Sequence, residues 1–402
     1  SNAPDAATAS SRTTHARLGA MYFAYFGYVG AHAPYITLYF QSIGQSAQAI
    51  GILLGLMQFV RIFAPNYWAW RADRSGSTLA LLRLTVLLSI VCFTGLFWTT
   101  SFVGLAIVLA ALAFCSGAVN PLTETITLSA LRNAMPRYGA IRLWGSVGFI
   151  LAVLGVGFQL DHLPVASLLI TTLLILIATL GVTLSLPPSP AIPRAPRGGA
   201  ARVWGIARRP EVVALLGTCF LMTVAHGPLY SFYSIYLDEH GYSKSAIGVL
   251  WSIGVIAEIV VFWTMPRWLR SEWTGKVLMA SFGCAIVRFL LIGWAIDNTA
   301  VQVVAQVLHG ATFGSYHVCA LAFLNRWFDD SARARGQALY SSVSFGAGGM
   351  LGAIGGGWMW SSIGPPWTFS IASGCSLAGL LVLMRQRRIL VGPEDNSIRN
   401  GG

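Results

Sequence analysis

The sequence has 402 residues, of which 55% are hydrophobic and only 10% are charged. Soluble globular proteins carry about 25% charged residues, so this composition excludes an ordinary soluble fold and predicts a protein that lies in a lipid bilayer. The formal net charge of +12 raises the question of a nucleic-acid partner. The distribution of the basic residues along the chain answers it.

Hydrophobic stretches follow one another along almost the whole chain. A membrane helix needs about 20 mostly apolar residues, and twelve stretches meet this requirement. We therefore predict an all-α membrane protein with twelve transmembrane helices. In chain order, the predicted spans are 17–40, 47–70, 77–98, 102–131, 138–160, 163–186, 211–238, 245–266, 274–295, 299–325, 333–360 and 364–386.

The basic residues lie mainly in alternate connections between these spans. If the N-terminus is cytoplasmic, the cytoplasmic loops and both tails hold 21 of the 26 Lys and Arg residues. The opposite loops hold a single basic residue, Lys244, together with several acidic residues. Because positive charge in short loops marks the cytoplasmic side, we predict an inner-membrane protein with both termini in the cytoplasm. The positive charge is then a topology signal, and no nucleic-acid partner is expected.

The longest connection, 187–210, is rich in Pro, Gly and Arg, which is typical of an extended flexible linker. It divides the twelve spans into two bundles of six. The predicted organisation is a cytoplasmic tail at 1–16, a six-helix bundle at 17–186, the cytoplasmic linker at 187–210, a second six-helix bundle at 211–386 and a cytoplasmic tail at 387–402.

The first residues, Ser1-Asn2-Ala3, are typical of what remains after a purification tag is cleaved. The rest of the segment 1–16 is polar and has no apolar core, so it does not read as a signal peptide. We expect the first hydrophobic run to serve as the first membrane span.

Three segments of the first half recur in the same order in the second half. Ser46–Gly51 (SAQAIG) matches Ser243–Gly248 (SKSAIG) 197 residues later. The other two matches pair Leu38-Tyr39-Phe40 with Ile235-Tyr236-Leu237, and His32-Ala33-Pro34 with His226-Gly227-Pro228. Internal repeats with a substrate site near the membrane midplane, where the repeats meet, are typical of secondary transporters.

The loop after the second span, 69–77 (AWRADRSGS), resembles a loop motif of the major facilitator superfamily. Asp73, Arg74 and Gly76 match that motif, whereas Ala69 replaces the usual first Gly and Ser77 replaces a usual basic residue. The resemblance implies that Asp73, Arg74 and Gly76 form a conformational latch on the cytoplasmic side. The alternative is an ordinary charged turn.

Within that superfamily, the chain resembles the phenylpropionate-permease and lactose-permease branch over nearly its whole length. The segments that carry this resemblance are Tyr22–Phe40, Gln58–Arg61 with Pro65, Tyr138–Gly148 and Gly336–Ser342. It implies the major facilitator fold, two pseudo-symmetric bundles of six helices. It also implies a permease that couples uptake of a solute to protons by alternating access.

Charged residues inside the predicted spans are costly, at least about 2.5 kcal/mol at the bilayer centre, so each should face a cavity or a partner. Arg83 lies close to the cytoplasmic end of its span, where its side chain can snorkel. Arg61 and Glu258 lie 197 residues apart and so occupy equivalent positions in the repeat. We expect them on either side of a central cavity, with Arg61 binding a substrate carboxylate. The alternative for Arg61 is a partner on another helix.

Glu124 and Arg142 lie on the fourth and fifth spans, 18 residues apart across a short turn. The two helices are antiparallel, so the acid and the base can meet and neutralise each other inside the bundle. The resemblance to lactose permease implies that they bind substrate. The alternative is an ion pair that only joins the two helices.

Glu258, Arg288 and His309 match a Glu, an Arg and a His of the lactose-permease pattern, but Thr312 stands where that pattern has a protonatable Glu. Proton coupling must therefore use another group if it is present. Glu258 and His309 are the candidates, with Arg288 and His317 beside them. The alternatives are a static ion pair between Glu258 and Arg288 and buried hydrogen bonds for the two histidines.

Aromatic residues are abundant at the level of the embedded charges. The predicted substrate-binding residues are His32, Tyr35, Arg61, Glu124, Arg142, Trp144 and Tyr230. Aromatic walls with an embedded Arg favour an aromatic carboxylate such as a phenylpropionate. A sugar or a nucleoside, which stacks and forms hydrogen bonds, is the alternative substrate. Export, uncoupled facilitation, and a receptor or scaffold without transport are the alternative functions.

No motif of an enzyme or of an ATPase occurs in the sequence, because P-loop, HExxH and G-x-S-x-G patterns are all missing. The six cysteines lie in apolar runs without CxxC spacing, so we expect no disulfide and no metal site. We expect no catalytic residue and no cofactor, with a proton gradient as the energy source. The expected partners are a small-molecule substrate, protons and the lipid bilayer, and the expected state is a monomer.

Overall fold

A computed structural model of the chain describes residues 3–131, 135–187, 200–329 and 332–386. These residues are almost entirely helical and form two compact units. Unit 1 contains the described residues of Ser1–Pro193 and of Gly241–Val249. Unit 2 contains those of Arg194–His240 and of Leu250–Gly402.

The helices of unit 1 follow the predicted spans closely. Within the described part of the chain they are α1 (Ala3–His32), α2 (Ile36–Ser42), α3 (Ala47–Ser75), α4 (Thr78–Thr94), α5 (Phe102–Ser116), α6 (Val119–Ala130), α7 (Tyr138–His162) and α8 (Ser167–Ser185). α1 packs against both α7 and α8, while α4 packs against α5 and α8. A cluster of buried side chains that includes Leu18, Met21, Leu82 and Leu131 fills the core of this unit.

The helices of unit 2 repeat this arrangement. They are α9 (Ala200–Ala207), α10 (Pro210–Glu239), α11 (Lys244–Trp268), α12 (Thr274–Trp294), α13 (Thr299–His309), α14 (Tyr316–Trp327), α15 (Arg333–Ser341), α16 (Gly349–Ile363) and α17 (Pro365–Arg385). The first turns of α11 belong to unit 1. α10 packs against α16 and α17, as α1 packs against α7 and α8, and α12 packs against α17 as α4 packs against α8.

Two stretches of unit 2 are π-helical. Gly310–Ser315 joins α13 to α14, and Ser342–Gly348 joins α15 to α16. The predicted tenth and eleventh spans are therefore continuous helical stretches, each with a wider segment inside it. Such π segments are rare and occur frequently at functional sites.

Ten helical stretches among the described residues are long and apolar enough to cross a membrane. They correspond to the predicted spans other than the first and the eleventh. The first, 17–40, is divided between α1 and α2, and the eleventh, 333–360, begins with the polar helix α15. The all-α membrane fold predicted from the sequence is confirmed, whereas the count of twelve spans stays a prediction.

The repeated SxxAIG segments have the same local structure in both units. Gly44 and Gly241, two residues before each segment, have φ angles of 83° and 81°, which only Gly adopts at no steric cost. Each turn then leads into a helix that a serine caps. The Oγ atoms of Ser46 and Ser243 each accept a hydrogen bond from the backbone N–H group three residues later, at 3.2 and 3.1 Å. The repeat thus encodes a Gly turn followed by a capped helix.

Glycines also let α1 in unit 1 and α10 in unit 2 pack so closely against a neighbouring helix that the two backbones are in contact. A Cβ atom placed on Gly148 of α7 would lie 2.1 Å from the Phe23 carbonyl oxygen of α1. A Cβ atom placed on Gly348 would lie 2.9 Å from the Phe220 carbonyl oxygen of α10. Phe23 and Phe220 are themselves 197 residues apart. Both crossings therefore exclude any larger residue.

The predicted linker and tails are only partly described. Residues 188–199 of the linker and the tail 387–402 lie outside the described residues. The remainder of the linker is helical where we predicted an extended segment, because Ala200–Ala207 forms α9. Val203, Ile206 and Ala207 are buried, and this spacing gives α9 one apolar face. α1 begins at Ala3, so helix also runs through most of the predicted tail 1–16.

Arg83 has a structural role. Its Nε atom donates to the Thr183 carbonyl oxygen at 3.2 Å, and its Nη2 atom donates to the Leu184 and Leu186 carbonyl oxygens at 3.2 and 3.3 Å. These carbonyl groups lie at the C-terminal end of α8, where the last four C=O groups of a helix have no partner from a following turn. The side chain therefore caps α8 as well as reaching the end of the apolar region.

Candidate functional site

Arg61 lies on α3 with an exposed side chain. Its Nη1 atom donates to the Gln58 Oε1 atom at 3.5 Å, and no carboxylate in the described ranges lies within ion-pair distance of its guanidinium. The charge acts electrostatically on the side chains of Tyr25, Tyr28 and His32, all on α1. Arg61 is therefore a cation within electrostatic range of three aromatic side chains of α1, and it is not one half of an ion pair.

His32 is the last residue of α1 and is only 6% exposed. Its ring stacks on Tyr28 at a centroid distance of 5.6 Å and meets Phe93 edge-on at 5.9 Å. Neither ring nitrogen has a hydrogen-bond partner among the residues that the structure describes. Because an unsatisfied buried polar group costs about 1–3 kcal/mol, a ligand that reaches His32 gains this energy.

The ion pair predicted between Glu124 and Arg142 does not form. The Tyr138 hydroxyl donates to the Glu124 Oε1 atom at 2.8 Å. The Arg142 guanidinium lies over the rings of Phe26, 4.7 Å from the centroid, and Tyr22, at 5.3 Å. The reason is that α7 begins at Tyr138, one turn before Arg142, so the hydroxyl reaches the carboxylate while the rings of α1 hold the guanidinium. Both charges still act on Tyr22, so the two residues border one region.

Tyr35 and Trp144 were predicted to bind substrate, and this role stays a prediction for both. The buried Tyr35 hydroxyl contacts two backbone carbonyl oxygens of unit 1, at 2.8 and 3.2 Å, and so holds neighbouring helices together. Trp144 is 53% exposed and lies on the same helix face as the exposed residues Leu151 and Phe158, seven and fourteen positions later. That face is apolar and points out of unit 1, which is typical of contact with lipid.

Arg288 lies on α12 and is completely buried. Its Nε atom donates to the Ala305 carbonyl oxygen at 2.8 Å, and its Nη1 atom donates to the Thr312 hydroxyl at 3.0 Å. Nη1 also lies 3.4 Å from the His226 Nε2 atom, and Nη2 donates to the Gln306 Oε1 atom at 3.3 Å. All these partners are uncharged in this arrangement. Thr312, which replaces the expected Glu, therefore serves as a hydrogen-bond acceptor for Arg288.

Glu258 pairs with His309 and not with Arg288. The Glu258 Oε1 atom lies 2.6 Å from the His309 Nε2 atom, and both side chains are largely buried. Two such atoms at this distance must share one proton, carried by either the imidazole or the carboxyl group. The predicted alternative of a static ion pair with Arg288 is not present within the described residues, although the Arg288 charge acts on Glu258.

Tyr230 joins this cluster from α10 and is 38% exposed. Its ring stacks on His226 at 5.8 Å and on Trp251 at 6.1 Å, and it meets His309 edge-on at 6.3 Å. Trp251 is fixed by a hydrogen bond from its Nε1 atom to the Ser234 Oγ atom at 3.0 Å. Of the predicted substrate-binding residues, Tyr230 is thus the one that unit 2 places beside the Glu258 and His309 pair.

His309 and His317 lie at the two ends of a column of rings. Phe313 stacks on His309 at 5.5 Å and on His317 at 6.1 Å, with ring planes 22° and 6° apart. The π segment Gly310–Ser315 lies between them and aligns the three side chains. The His317 Nδ1 atom lies 3.1 Å from the Tyr340 hydroxyl. His309 and His317 are therefore linked through the aromatic ring of Phe313.

The predicted latch residues lie at the end of α3. Gly76 has a φ of 68° and ends the helix in the left-handed conformation, which explains a Gly in this position. Ser77 then caps α4 by accepting from the Ala80 backbone N–H at 3.3 Å. The Arg74 guanidinium lies 4.3 Å from the centre of the Trp70 ring. The turn is explained by these contacts, and the latch role of Asp73, Arg74 and Gly76 stays a prediction.

Several residues near Glu258 and His309, and the residue that contacts Glu124, were not predicted from the sequence. Gln306 lies three positions before His309 on α13, and this spacing alone puts both on one face. His226 was seen only as part of a repeat, and Tyr340 only as part of the segment GQALYSS. Tyr138 carries no signal, because its contact with Glu124 depends on where α7 begins.

Comparisons with known proteins agree with this architecture. Residues 15–371 match the MFS_1 like family, and since this match covers most of the chain, the chain belongs to that family. It is a multi-pass membrane transporter of the major facilitator superfamily. The family's members matched here are transporters and not enzymes.

Two curated relatives match this chain over most of their own length. A protein of Escherichia coli (strain K12) named "Probable 3-phenylpropionic acid transporter" is 29% identical over 357 residues, which cover 85% of this chain and 90% of the relative. Maltose permease of Geobacillus stearothermophilus is 28% identical over 379 residues, which cover 90% and 92%. The crystal structure of a mutant of the nucleoside transporter NupG has a TM-score of 0.83 at 20% identity, covering 92% of this chain and 99% of that one. This last likeness shows the fold alone.

Proposed function

We propose that the protein is a proton-coupled importer of a small aromatic carboxylate of the phenylpropionate type, working as a monomer by alternating access. The proposal for the substrate rests on one observation above all. Arg61 is an exposed guanidinium with no carboxylate partner in the described residues, and Tyr25 and Tyr28 lie within its electrostatic range. A substrate that carries a ring and a carboxylate complements both properties.

A substrate carboxylate would gain most at Arg61. Guanidinium and carboxylate groups form paired, charge-assisted hydrogen bonds, which are about twice as strong as neutral ones. Tyr25 and Tyr28 offer ring faces and edges beside the cation, and His32 offers two ring nitrogens without partners. The relative named for 3-phenylpropionic acid supports a substrate of this class.

Glu258 and His309 supply a group that can bind and release a proton. Their 2.6 Å contact holds one proton in a largely buried place, next to the fixed charge of Arg288. Movement of helices that exposes this pair to one side of the membrane or the other would let the proton cross with the substrate. Thr312 does not titrate, so we assign the coupling proton to Glu258 with His309 as its partner.

The placement in the membrane follows from the loop charges. Basic residues concentrated in alternate loops support an inner-membrane protein with both termini in the cytoplasm. The direction follows from the proposed coupling: a substrate that moves together with a proton, down an inward proton gradient, accumulates inside the cell.

A neutral ring-bearing solute, either a sugar or a nucleoside, is the second candidate. Tyr230 and Trp251 form a stacked aromatic pair in unit 2, and the Gln306 Nε2 atom beside them is buried without a partner among the described residues. Stacking on an aromatic wall with nearby hydrogen-bond donors suits such a solute. The relatives named as a maltose permease and as nucleoside permeases support this class.

Uptake into proteoliposomes tests both candidates. Purified protein is reconstituted, an inward proton gradient is imposed, and accumulation of labelled 3-phenylpropionate, 3-phenylpropionamide, maltose and uridine is measured. We expect accumulation of the acid that a protonophore abolishes, and little of its amide. Accumulation of maltose or uridine instead would support the second candidate, and binding without flux would favour a receptor. Liposomes without protein give the leak rate.

A further inference from the structure

We propose that His317 is a second proton acceptor opposite Glu258. In this role it relays the coupling proton along the tenth span toward the end that carries Arg326. A one-way chain of hydrogen bonds through Tyr340 and Tyr316 holds it in the tautomer that this role needs. The inference rests on the proposed proton coupling and adds the route that the proton takes after it leaves Glu258.

The chain of hydrogen bonds ends at a group that can only accept. The Tyr316 hydroxyl donates to the Cys219 backbone carbonyl oxygen at 3.3 Å, so its single proton is used there. Tyr340 must then donate to the Tyr316 oxygen, 3.4 Å away, which uses the proton of Tyr340. The Tyr340 oxygen can therefore only accept from the His317 Nδ1 atom at 3.1 Å.

This order fixes the state of the His317 ring. Nδ1 carries a hydrogen atom, and in the neutral ring Nε2 is consequently the nitrogen with a free lone pair. The ring is also held in place by stacking on Phe313, with the ring planes 6° apart, and by an edge contact with Phe262 at 6.4 Å. His317 is thus a fixed base with one open nitrogen.

Glu258 is the acid that faces this base. The charges of Glu258 and His317 act on each other, so the two side chains lie within electrostatic range. Two glycines of the π segment bring their helices together. A Cβ atom on Gly310 would lie 2.8 Å from the Ala257 carbonyl oxygen, and one on Gly314 would lie 3.7 Å from the Glu258 Cα atom. The close approach places Glu258 beside the stretch between His309 and His317.

His309 is poorly suited to pass the proton on. Its Nε2 atom is occupied by Glu258, and its Nδ1 atom is buried with no partner in the described part of the chain. A doubly protonated His309 would therefore bury an N–H without an acceptor, beside the positive charge of Arg288. His317, in contrast, already has an acceptor for its Nδ1–H, so protonation at Nε2 leaves no group unsatisfied.

The proton transfer is simple to balance. Glu258 and His317 lie beyond ion-pair distance of each other in this structure, so the proton passes through one water molecule. The O–H bond of the protonated Glu258 carboxyl group breaks as the water accepts that proton, and an N–H bond forms at the His317 Nε2 atom as the water gives up one of its own. The products are a carboxylate and an imidazolium, whose opposite charges attract each other, and the imidazolium then releases its proton to water. The titratable and charged groups around His317 are Glu258 on α11, Tyr340 on α15, Tyr316 and His309 on its own span, and Arg288 on α12 through its action on Glu258.

Two variants test the relay in proteoliposomes. His317→Asn keeps an N–H donor for Tyr340 but removes the basic nitrogen, and we expect gradient-driven accumulation to fall at least about tenfold while substrate exchange without a gradient persists. Tyr340→Phe removes the acceptor of the Nδ1–H, which destabilises the imidazolium. We expect it to move the pH of half-maximal accumulation down by about half a unit or more, with exchange unchanged.

Tyr236→Phe is the matched control, because its buried hydroxyl also donates to a backbone carbonyl oxygen, that of Gly293 at 2.9 Å, away from the cluster. Full accumulation by His317→Asn, or a Tyr340→Phe profile equal to that of Tyr236→Phe, would overturn the relay. If His317→Asn does not fold, the Tyr340→Phe profile decides alone. A wild-type protein with exchange but no gradient-driven accumulation would instead contradict the proposed coupling itself.

Discussion

The two units share their helical plan but differ in the chemistry at matching positions. The Gly44 and Gly241 turns, the Ser46 and Ser243 caps and the glycine crossings at Gly148 and Gly348 recur with nearly the same geometry. In each unit a histidine meets a phenylalanine edge-on, His32 of α1 with Phe93 and His226 of α10 with Phe289. These turns, caps and crossings are therefore common to both units, whereas the π segments occur, among the described residues, in unit 2.

The difference lies beside those histidines. In unit 1 the matching positions hold the free cysteines Cys92 and Cys115. The residues 196 and 197 positions later are Arg288 and Thr312, which form a hydrogen bond of 3.0 Å in unit 2. A guanidinium and a hydroxyl thus replace two thiols. As a result His226 has Arg288 as a partner, whereas His32 has no partner in the described residues.

This contrast separates two kinds of polar site. Arg288 in unit 2 is buried and its donors are used within the protein, which is the condition for holding a nearby proton in place. Arg61 in unit 1 is exposed and His32 is unsatisfied, which is the condition for receiving a ligand. We infer that duplication of one bundle allowed one copy to specialise in the proton and the other in the substrate.

The largest expected effect is that of Glu258→Gln. The amide cannot carry the coupling proton, so gradient-driven accumulation should fall to the level without a gradient while exchange persists. Uptake with and without an imposed proton gradient measures this in proteoliposomes. Asp297→Asn, which changes an exposed carboxylate of unit 2, is the control and should accumulate normally. Unchanged accumulation by Glu258→Gln would remove the coupling role from unit 2.

Arg288→Gln should mainly reduce stability. The shorter neutral side chain leaves several of the partners of Arg288 unsatisfied in a buried place, and each hydrogen bond to a charged group contributes about 1.5–3 kcal/mol. A thermal melt in detergent, with Arg142→Gln as the comparison, measures the loss. An unchanged melting temperature would show that the buried cluster of unit 2 does not hold its helices together.

Arg61→Gln should reduce affinity and not stability. Loss of a charge-assisted hydrogen bond to the substrate corresponds to about 10- to 100-fold weaker binding of the carboxylate. The amide analogue, which already binds poorly to wild type, should bind the variant about as well as it binds wild type. Ligand-induced thermal shifts give both affinities. Equal loss for acid and amide would mean that Arg61 shapes the site without contacting a carboxylate.

Gly148→Ala and Gly348→Ala should lower stability to similar degrees, because both crossings place a backbone carbonyl oxygen where the new methyl group must go. Overpacking of this kind costs about 1–3 kcal/mol. Gly355→Ala is the control, since its nearest neighbouring atom would lie at 4.0 Å. Thermal melts of the three variants compare the crossings directly, and a large loss in only one unit would break the structural equivalence.

The smallest effect is expected for Trp144→Ala. The side chain lies on the exposed apolar face of α7, so substrate affinity should stay within about twofold of wild type, as is usual for surface substitutions. Thermal shift titration measures it. A loss of affinity comparable with that of Arg61→Gln would instead support the substrate-binding role that the sequence predicts for Trp144.

Part of the site was predictable because it depends on position along a helix. Arg61, Glu258, Arg288 and His309 were singled out as charges or histidines within apolar spans, and the structure gives three of them close polar neighbours in unit 2. The pairing was not predictable. Which acid meets which base depends on where each helix begins. Because α7 begins at Tyr138, its hydroxyl donates to Glu124, and Glu124 does not pair with Arg142.

The sequence by itself determined the class of the protein. The length of the apolar stretches, the alternation of charge between loops and the repeat of 197 residues depend only on the order of residues. In a bilayer an apolar stretch must satisfy its own backbone hydrogen bonds, so it forms a helix, and the loop charges orient it. Only the tertiary structure decided which side chains are satisfied. The partner of Glu258, the missing partner of His32 and the proton order at Tyr340 each depend on atoms that meet across different helices, and sequence spacing does not encode those distances.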